Sequence, residues 1–266
     1  MLASRTCYLT AAALVSALLF ACTSAPETGR SQLLLISPSD EAQMGLQAFQ
    51  QIKQKTPVSR NRSESRQLQE VGRRIAAVAP LPNANWEFVL FEDPDNPNAF
   101  ALPGGKVGVY SGLLPVTQNE AGLATVIGHE VAHATARHGA ERVSQSLLIQ
   151  IGGTALSAAM GSSASATRDL AMQAYGLGTA IGVALPYSRT QELEADHLGL
   201  LYMARAGYDP REAVAFWKRF QAYGNKSGGK PPEFLSTHPL DGRRIEAIER
   251  QLPKAMAEYQ RAGGGR

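Results

Sequence analysis

Cysteine is nearly missing from this chain: its 266 residues hold two, Cys7 and Cys22. At most one intramolecular disulfide is possible, so the fold must rest on a buried core. Strong charge of either sign is also absent, with 26 Lys and Arg against 23 Asp and Glu. Aromatics make up 7% of the residues and no basic cluster interleaves with them. A nucleic-acid partner is therefore not expected, because neither phosphate neutralisation nor base stacking has a surface to work from. Long apolar runs are scarce too. The stretch from Leu147 to Met160 is rich in Gly, Ala and Ser and is interrupted by Gln150, Thr154 and Ser157. It falls short of the roughly 20 apolar residues a membrane helix needs, so it is only a weak candidate for a membrane hairpin. No internal repeat occurs, and "GSSASAT" and the final "AGGGR" read as mobile.

What is present suggests one exported domain. The chain is 44% hydrophobic, enough for one substantial core. At the N-terminus Arg5 precedes the apolar "AAALVSALLFA", and Cys22 follows directly. This is the layout of an export signal. Its end, "LLFAC", resembles a bacterial lipobox, which implies cleavage before Cys22 and acylation of that residue. Thr23 stands where an inner-membrane retention signal would show Asp, so the resemblance implies the periplasmic face of the outer membrane. Losing Arg5 with residues 1–21 would take the formal charge from +3 to +2 and remove Cys7, leaving no disulfide possible. The expected organisation is a signal at 1–21, a tether at 22–36, a main domain at 37–255 and a flexible tail at 256–266.

The main domain reads as mixed α and β. Ser37, Pro38, Asp40 and Glu41 signal a helix start, with Leu46, Phe49 and Ile52 as its apolar stripe. Leu68, Val71, Ile75 and Val78 repeat at helical spacing over Glu64 to Val78, before Pro80 and Pro82. "WEFVLF", Trp86 to Phe91, has strand composition, and short extended pieces at Ala99–Leu102 and Lys106–Tyr110 flank the turn Pro103-Gly104-Gly105. "TQNE" matches a capping box with Thr117 as cap and Glu120 reaching back, and Gly139 is suited to end that helix. Further helices are expected over Gln191–Ala206, Pro210–Tyr223 and Asp241–Leu252.

The chemistry begins in "TVIGHEVAHATARHG", Thr125 to Gly139. Residues four apart share a helix face, so His129 and His133 can offer imidazole nitrogens to one zinc ion. Glu130 is rotated by about 100° from His129. That points it beside the ion, the place for a base acting on water. The neighbouring Val126, Ile127, Gly128, Val131, Ala132 and Ala134 are uncharged, as a helix buried under a cleft requires.

A catalytic zinc needs a third protein ligand, and "SRTQELEADHLGL", Ser188 to Leu200, offers one. Glu192 and Asp196 are four apart on one face, while Glu194 is turned about 200° away on a regular helix. Glu192 is read as the ligand and Asp196 as the residue that fixes a ligand histidine by its distal N–H. His138 is read as a helix-end residue complementing exposed carbonyls, and His197 as a packing or surface residue.

"HEVAH" followed by "ELEAD" resembles the gluzincin zinc metallopeptidases of peptidase family M48. "NAFALPGG", Asn98 to Gly105, looks like the family's edge-strand region, and "STHPLDGRRI", Ser236 to Ile245, looks like its late His-Pro loop. The resemblance spans Gly29 to Gln251 and implies an α+β, mostly helical zincin-type domain whose small sheet sets an edge strand beside the zinc helix. It also implies one zinc per chain and endopeptidase activity. His238, in the His-Pro loop, is implied as a catalytic donor to the developing oxyanion or as a fourth zinc ligand that holds the enzyme latent; Tyr187 and Arg189 are weaker candidates for the donor. Membrane members of the family carry long transmembrane helices and a periplasmic member carries a C-terminal helical-repeat domain; neither is expected here, so the chain looks like a stand-alone, lipid-tethered version.

For substrate, Ala99, Phe100, Ala101 and Leu102 suggest pairing of an unfolded peptide along an edge strand. The expected function is zinc-dependent cleavage of unfolded or misassembled envelope proteins at the outer membrane, with the outer-membrane assembly machinery as a possible partner. A second reading is an envelope assembly chaperone with a latent protease site. A third is a lipoprotein with no metal and a fortuitous motif.

Overall fold

The computed structural model describes residues 22–81, 83–159, 187–226, 232–240 and 242–264. The export signal at 1–21 and the "GSSASAT" run lie outside them. In chain order the elements are β1 (Cys22–Ser24), β2 (Ser31–Leu33), α1 (Pro38–Lys55), α2 (Arg62–Ala76), β3 (Glu87–Phe91), β4 (Ala99–Leu102) and β5 (Lys106–Tyr110). After a short 3-10 turn come α3 (Leu114–Thr117), α4 (Glu120–Thr135), α5 (His138–Ala159), α6 (Arg189–Arg205), α7 (Arg211–Lys226), α8 (Glu233–Thr237) and α9 (Gly242–Arg261). The described part is mostly helical with small sheets, the α+β class expected.

The three-stranded sheet has the order β3-β5-β4, with β5 parallel to β3 and antiparallel to β4. Gly104 and Gly105, at φ +79 and +85, make the turn that lets β4 fold back on β5. Period-two alternation divides the strands between two apolar layers. Phe88, Leu90, Ala99, Ala101, Val107 and Val109 face the main core, formed with α2, α4, α6 and α7. Phe91, Phe100 and Leu102 face the other way and pack with Phe49 of α1 in a small aromatic cluster. Burying side chains of this size stabilises by about 1.5–3 kcal/mol each.

Ser37 caps α1 as expected, accepting from the Asp40 N–H at 3.2 Å. The expected apolar stripe holds only in part: Phe49 is fully buried, whereas Leu46 is 42% exposed. The tether stretch is also ordered, since β1 and β2 pair antiparallel from Cys22↔Leu33 to Ser24↔Ser31. At the other end α9 runs through Pro253 to Arg261, so residues 256–261 of the expected tail are helical.

α4 is the central helix, and every residue from Gly122 to His133 is buried. A helix apolar all round belongs in a core, and α4 is packed by α2, β4, α6 and α7. Both of its expected ends need correction. Thr117 is the last residue of α3, and Asn119 is the cap, its Oδ1 accepting from Gly122 N–H at 2.8 Å. The helix stops at Thr135, Arg137 takes the left-handed φ of 56, and α5 starts at His138, so Gly139 lies inside the next helix. α6 crosses α4 closely at Gly128 and Gly199, setting the ligand-bearing faces of the two helices against each other.

Candidate metal centre

Where α4 and α6 cross, and α8 ends, four buried side chains converge. One ligand atom from each of His129, His133, Glu192 and His238 lies within 4.8 Å of every other. His129 Nε2 is 3.1 Å from His133 Nε2 and 3.3 Å from His238 Nδ1. Glu192 Oε1 is 3.2 Å from His133 Nε2 and 3.0 Å from His238 Nδ1. Donors at zinc-ligand bond lengths around a tetrahedral ion stand about 3.3 Å apart, so this set fits zinc in both spacing and donor type. Both oxygens of Glu130 are buried without a hydrogen-bond partner among the described residues, a cost that a cation beside them offsets.

His129 and His133 sit one turn apart and Glu192 faces both. Asp196 Oδ1 lies 3.0 Å from His129 Nδ1, on the ring's far side from the donor group. Glu130 is 1% exposed, and its Oε1 is 3.4 Å from His238 Nε2. His238 therefore turns one nitrogen to the donor set and the other to Glu130. It is held by its N–H donating to Phe234 O at 2.7 Å and by stacking on the Phe234 ring, centroids 4.4 Å apart.

Tyr187 lies against the group, its ring centroid 3.8 Å from that of His133. Its backbone N–H donates to Thr237 O at 2.9 Å, linking the entry to α6 with the His238 segment. Burial raises the Tyr187 hydroxyl pKa to about 12, so it stays a donor at neutral pH. Arg189 opens α6 and is exposed. His197 contacts Gln251 of α9 and takes no part in the group.

Electrostatics here are set by one residue that sequence reasoning missed. Arg244 of α9 donates from Nε and Nη2 to the two Asp196 oxygens, at 2.7 and 2.8 Å. Its Nη1 stands 2.5 Å from Glu192 Oε2. Burial raises the pKa of both carboxylates, but Arg244 and the histidines outweigh it and hold Glu192 and Asp196 below the usual range. Burial lowers His129, yet Glu192 and Asp196 raise it on balance to about 9. His133 is pushed well below its ordinary value, chiefly by burial. The signal for Arg244 was slight: it lies within "GRRI", six residues beyond His238, with no helical spacing to tie it to α6.

Two other residues depart from their sequence reading. His138 is fully buried and does not cap α4; its Nδ1 is 2.9 Å from His133 Nδ1 and its Nε2 is 3.0 Å from Glu194 Oε2. Glu194 does turn away from the donor set, but into the interior, where it meets Arg30.

Beside the centre, β4 is the sheet's edge strand and packs on α4. The side chains of Ala99, Phe100, Ala101 and Leu102 are all buried, so any pairing there would use backbone groups. An apolar cavity of about 100 Å³ adjoins the end of β4, between Ala48 and Met44 of α1, Leu102, Val143 of α5 and Tyr187.

Residues 62–252 match the family described as Peptidase family M48. The chain is 39% identical over 188 residues to mitochondrial metalloendopeptidase OMA1 of Schizosaccharomyces pombe, covering 71% of this chain and 53% of that protein. It is 39% identical over 186 residues to OMA1 of Saccharomyces cerevisiae, with 68% and 51% covered. Against the Escherichia coli beta-barrel assembly-enhancing protease it is 30% identical over 225 residues, 83% of this chain and 45% of that protein. The chain thus spans about half the length of the curated relatives it matches.

Proposed function

Since the chain belongs to peptidase family M48, we propose that it is a zinc-dependent endopeptidase that cleaves unfolded or misassembled envelope proteins. The observation that carries this reading is the buried set of His129, His133 and Glu192 beside a Glu130 carboxylate with no hydrogen-bond partner among the described residues. Zinc, when bound, supplies Lewis-acid polarisation of the scissile carbonyl and lets water act as a nucleophile at neutral pH. Glu130 takes the proton from the attacking water and passes it to the leaving amine. Asp196 fixes the ring of His129, and Arg244 fixes Asp196. The free edge of β4 offers backbone groups for an extended peptide, and recognition through backbone suits substrates of varied sequence.

The test pairs metal analysis with casein cleavage. Glu130→Gln is expected to keep about one zinc per chain and to lose cleavage by about 10²–10⁴-fold, the usual contribution of a general base. Unchanged cleavage would overturn the mechanism.

One observation favours a second reading, a chaperone with a latent protease site. His238 Nδ1 is near enough to the other donors to serve as a fourth protein ligand and close the position that substrate needs. Under latency His238→Ala raises proteolysis; as a donor to the developing oxyanion its loss lowers it. If Glu130→Gln restores the envelope of a deletion strain as well as wild type does, the chaperone reading holds.

Outer-membrane attachment through an acylated Cys22, facing the periplasm, completes the proposal. Its support is the N-terminal sequence. The named relatives belong to both mitochondria and a bacterium, and no helix among the described residues is long and apolar enough to cross a membrane. A partnership with outer-membrane assembly factors draws its support from the name of the E. coli relative. Mass spectrometry of the N-terminal peptide from membranes tests acylation, and a Cys22→Ala protein still found in the outer membrane would count against it.

A further inference from the structure

A line of buried polar contacts leads from the donor set to the N-terminal hairpin. His133 turns Nε2 toward Glu192 and Nδ1 toward His138 Nδ1, at 3.2 and 2.9 Å. The other nitrogen of His138 is 3.0 Å from Glu194 Oε2. Glu194 in turn accepts from Thr28 Oγ1 and from Arg30 Nε, both in the turn between β1 and β2. Arg30 also donates from Nη1 and Nη2 to the two oxygens of Glu141 on α5, at 2.8 and 2.7 Å. Gln191 Nε2 donates to Glu141 Oε2 at 2.8 Å, next in sequence to Glu192. His138 is 0% exposed, and the side chains of Glu194 and Glu141 are 5% and 6% exposed.

This arrangement has a chemical purpose. A ligand imidazole that coordinates through one nitrogen must have the other fixed, or its ring orientation and tautomer are undefined. For His129 that partner is Asp196. The only side-chain hydrogen-bond contact of His133 Nδ1 among the described residues is His138, an imidazole with no fixed orientation of its own, and Glu194 supplies that by accepting from Nε2. With Nε2 donating, His138 Nδ1 accepts from His133 Nδ1–H, which leaves His133 Nε2 with its lone pair toward the donor set. Glu194 is a buried carboxylate and needs a cation, which comes from Arg30, 99 positions before His129, the first residue of the donor set.

We propose that His138, Glu194 and Arg30 are positioning residues for His133, so that the turn carrying Thr28 and Arg30 is an integral part of the metal centre. The inference rests on reading His133 as a zinc ligand. It predicts that losing any of the three loosens metal binding even though none of them belongs to the donor set.

The test measures zinc affinity of the full-length protein by competition with a chromophoric chelator, together with the visible spectrum of the cobalt-substituted protein. His138→Ala is expected to weaken zinc binding by about 10–100-fold and to alter the cobalt bands. Arg30→Ala should act in the same direction, and Arg30→Lys should recover part of the loss. Arg219→Ala serves as control, because it removes the donors to Val116 O and Thr117 O and the partner of Glu212 without touching the line to His133. It is expected to lower thermal stability and leave zinc affinity unchanged. Wild-type affinity and an unaltered cobalt spectrum in folded His138→Ala would overturn the proposal. So would an Arg219→Ala protein that loses as much affinity as Arg30→Ala, since the effect would then be general destabilisation. A wild-type protein that takes up no zinc would instead defeat the metal-site reading itself.

Discussion

Gly128 and Gly199 meet backbone to backbone where the two ligand helices cross. A Cβ on Gly128 would lie 2.8 Å from Gly199 O, and one on Gly199 would lie 2.7 Å from His129 N. The contact is to rigid backbone, so a methyl group cannot be absorbed by a side-chain swing. Gly199→Ala is expected to force the helices apart, costing about 1–3 kcal/mol as overpacking does. Zinc content per chain should fall with it, because Glu192 and Asp196 reach His129 only across that crossing. Denaturant unfolding and metal analysis check both; a fully stable, fully loaded variant would refute the account.

Arg244→Ala leaves two buried carboxylates, Glu192 and Asp196, without their cation. Removing one partner of such a group typically costs about 3–5 kcal/mol. Arg244→Lys should recover only part of this, because a single ammonium cannot reproduce the fork that meets both Asp196 oxygens while standing beside Glu192. Unfolding midpoints of the two variants provide the comparison.

Acid should act on the Arg30–Glu141 contact. Burial raises the Glu141 pKa, but hydrogen bonds from Arg30 and Gln191 outweigh it and hold the carboxyl below its ordinary 4.5. A carboxyl depressed in the folded state stabilises fully above the unfolded value and loses that contribution as pH falls through the folded one. Between pH 6 and 3, Glu141→Gln should therefore show a shallower loss of stability than wild type. Equal slopes would mean that the pair contributes nothing.

The cavity beside β4 suits one branched or unbranched aliphatic side chain of a bound peptide. Ala48→Phe should narrow it and lower kcat/KM for peptides bearing Leu near the cleaved bond by about tenfold or more, the scale on which apolar pockets discriminate. Peptides with Ala in that place should be cleaved as before. A uniform fall for both would mean that the cavity has no part in selection.

The sequence made some of this site legible because helical spacing converts directly into geometry. His129 with His133, and Glu192 with Asp196, are pairs four apart, and each pair faces the group as that period requires. His238 was reached through the resemblance of its loop. Arg244 and Arg30 were not legible, since each joins the site from a distant segment with no period connecting it to the rest. His138 was misread because the break in the helix falls at Arg137, a non-glycine residue at positive φ, which no local pattern announces. The same limit hid the hairpin at β1 and β2, where short polar strands give no apolar alternation.

That hairpin also sets a working distance. Cys22 and Arg30 are eight positions apart, and Arg30 is fastened at the site. Fully extended, that length of chain reaches at most roughly 30 Å, and the pairing of Cys22 with Leu33 folds part of it back. If Cys22 carries the lipid proposed for it, the catalytic group has almost no slack. It would work within a layer about one small domain deep above the bilayer, and polypeptides would be cut only where they linger at that surface.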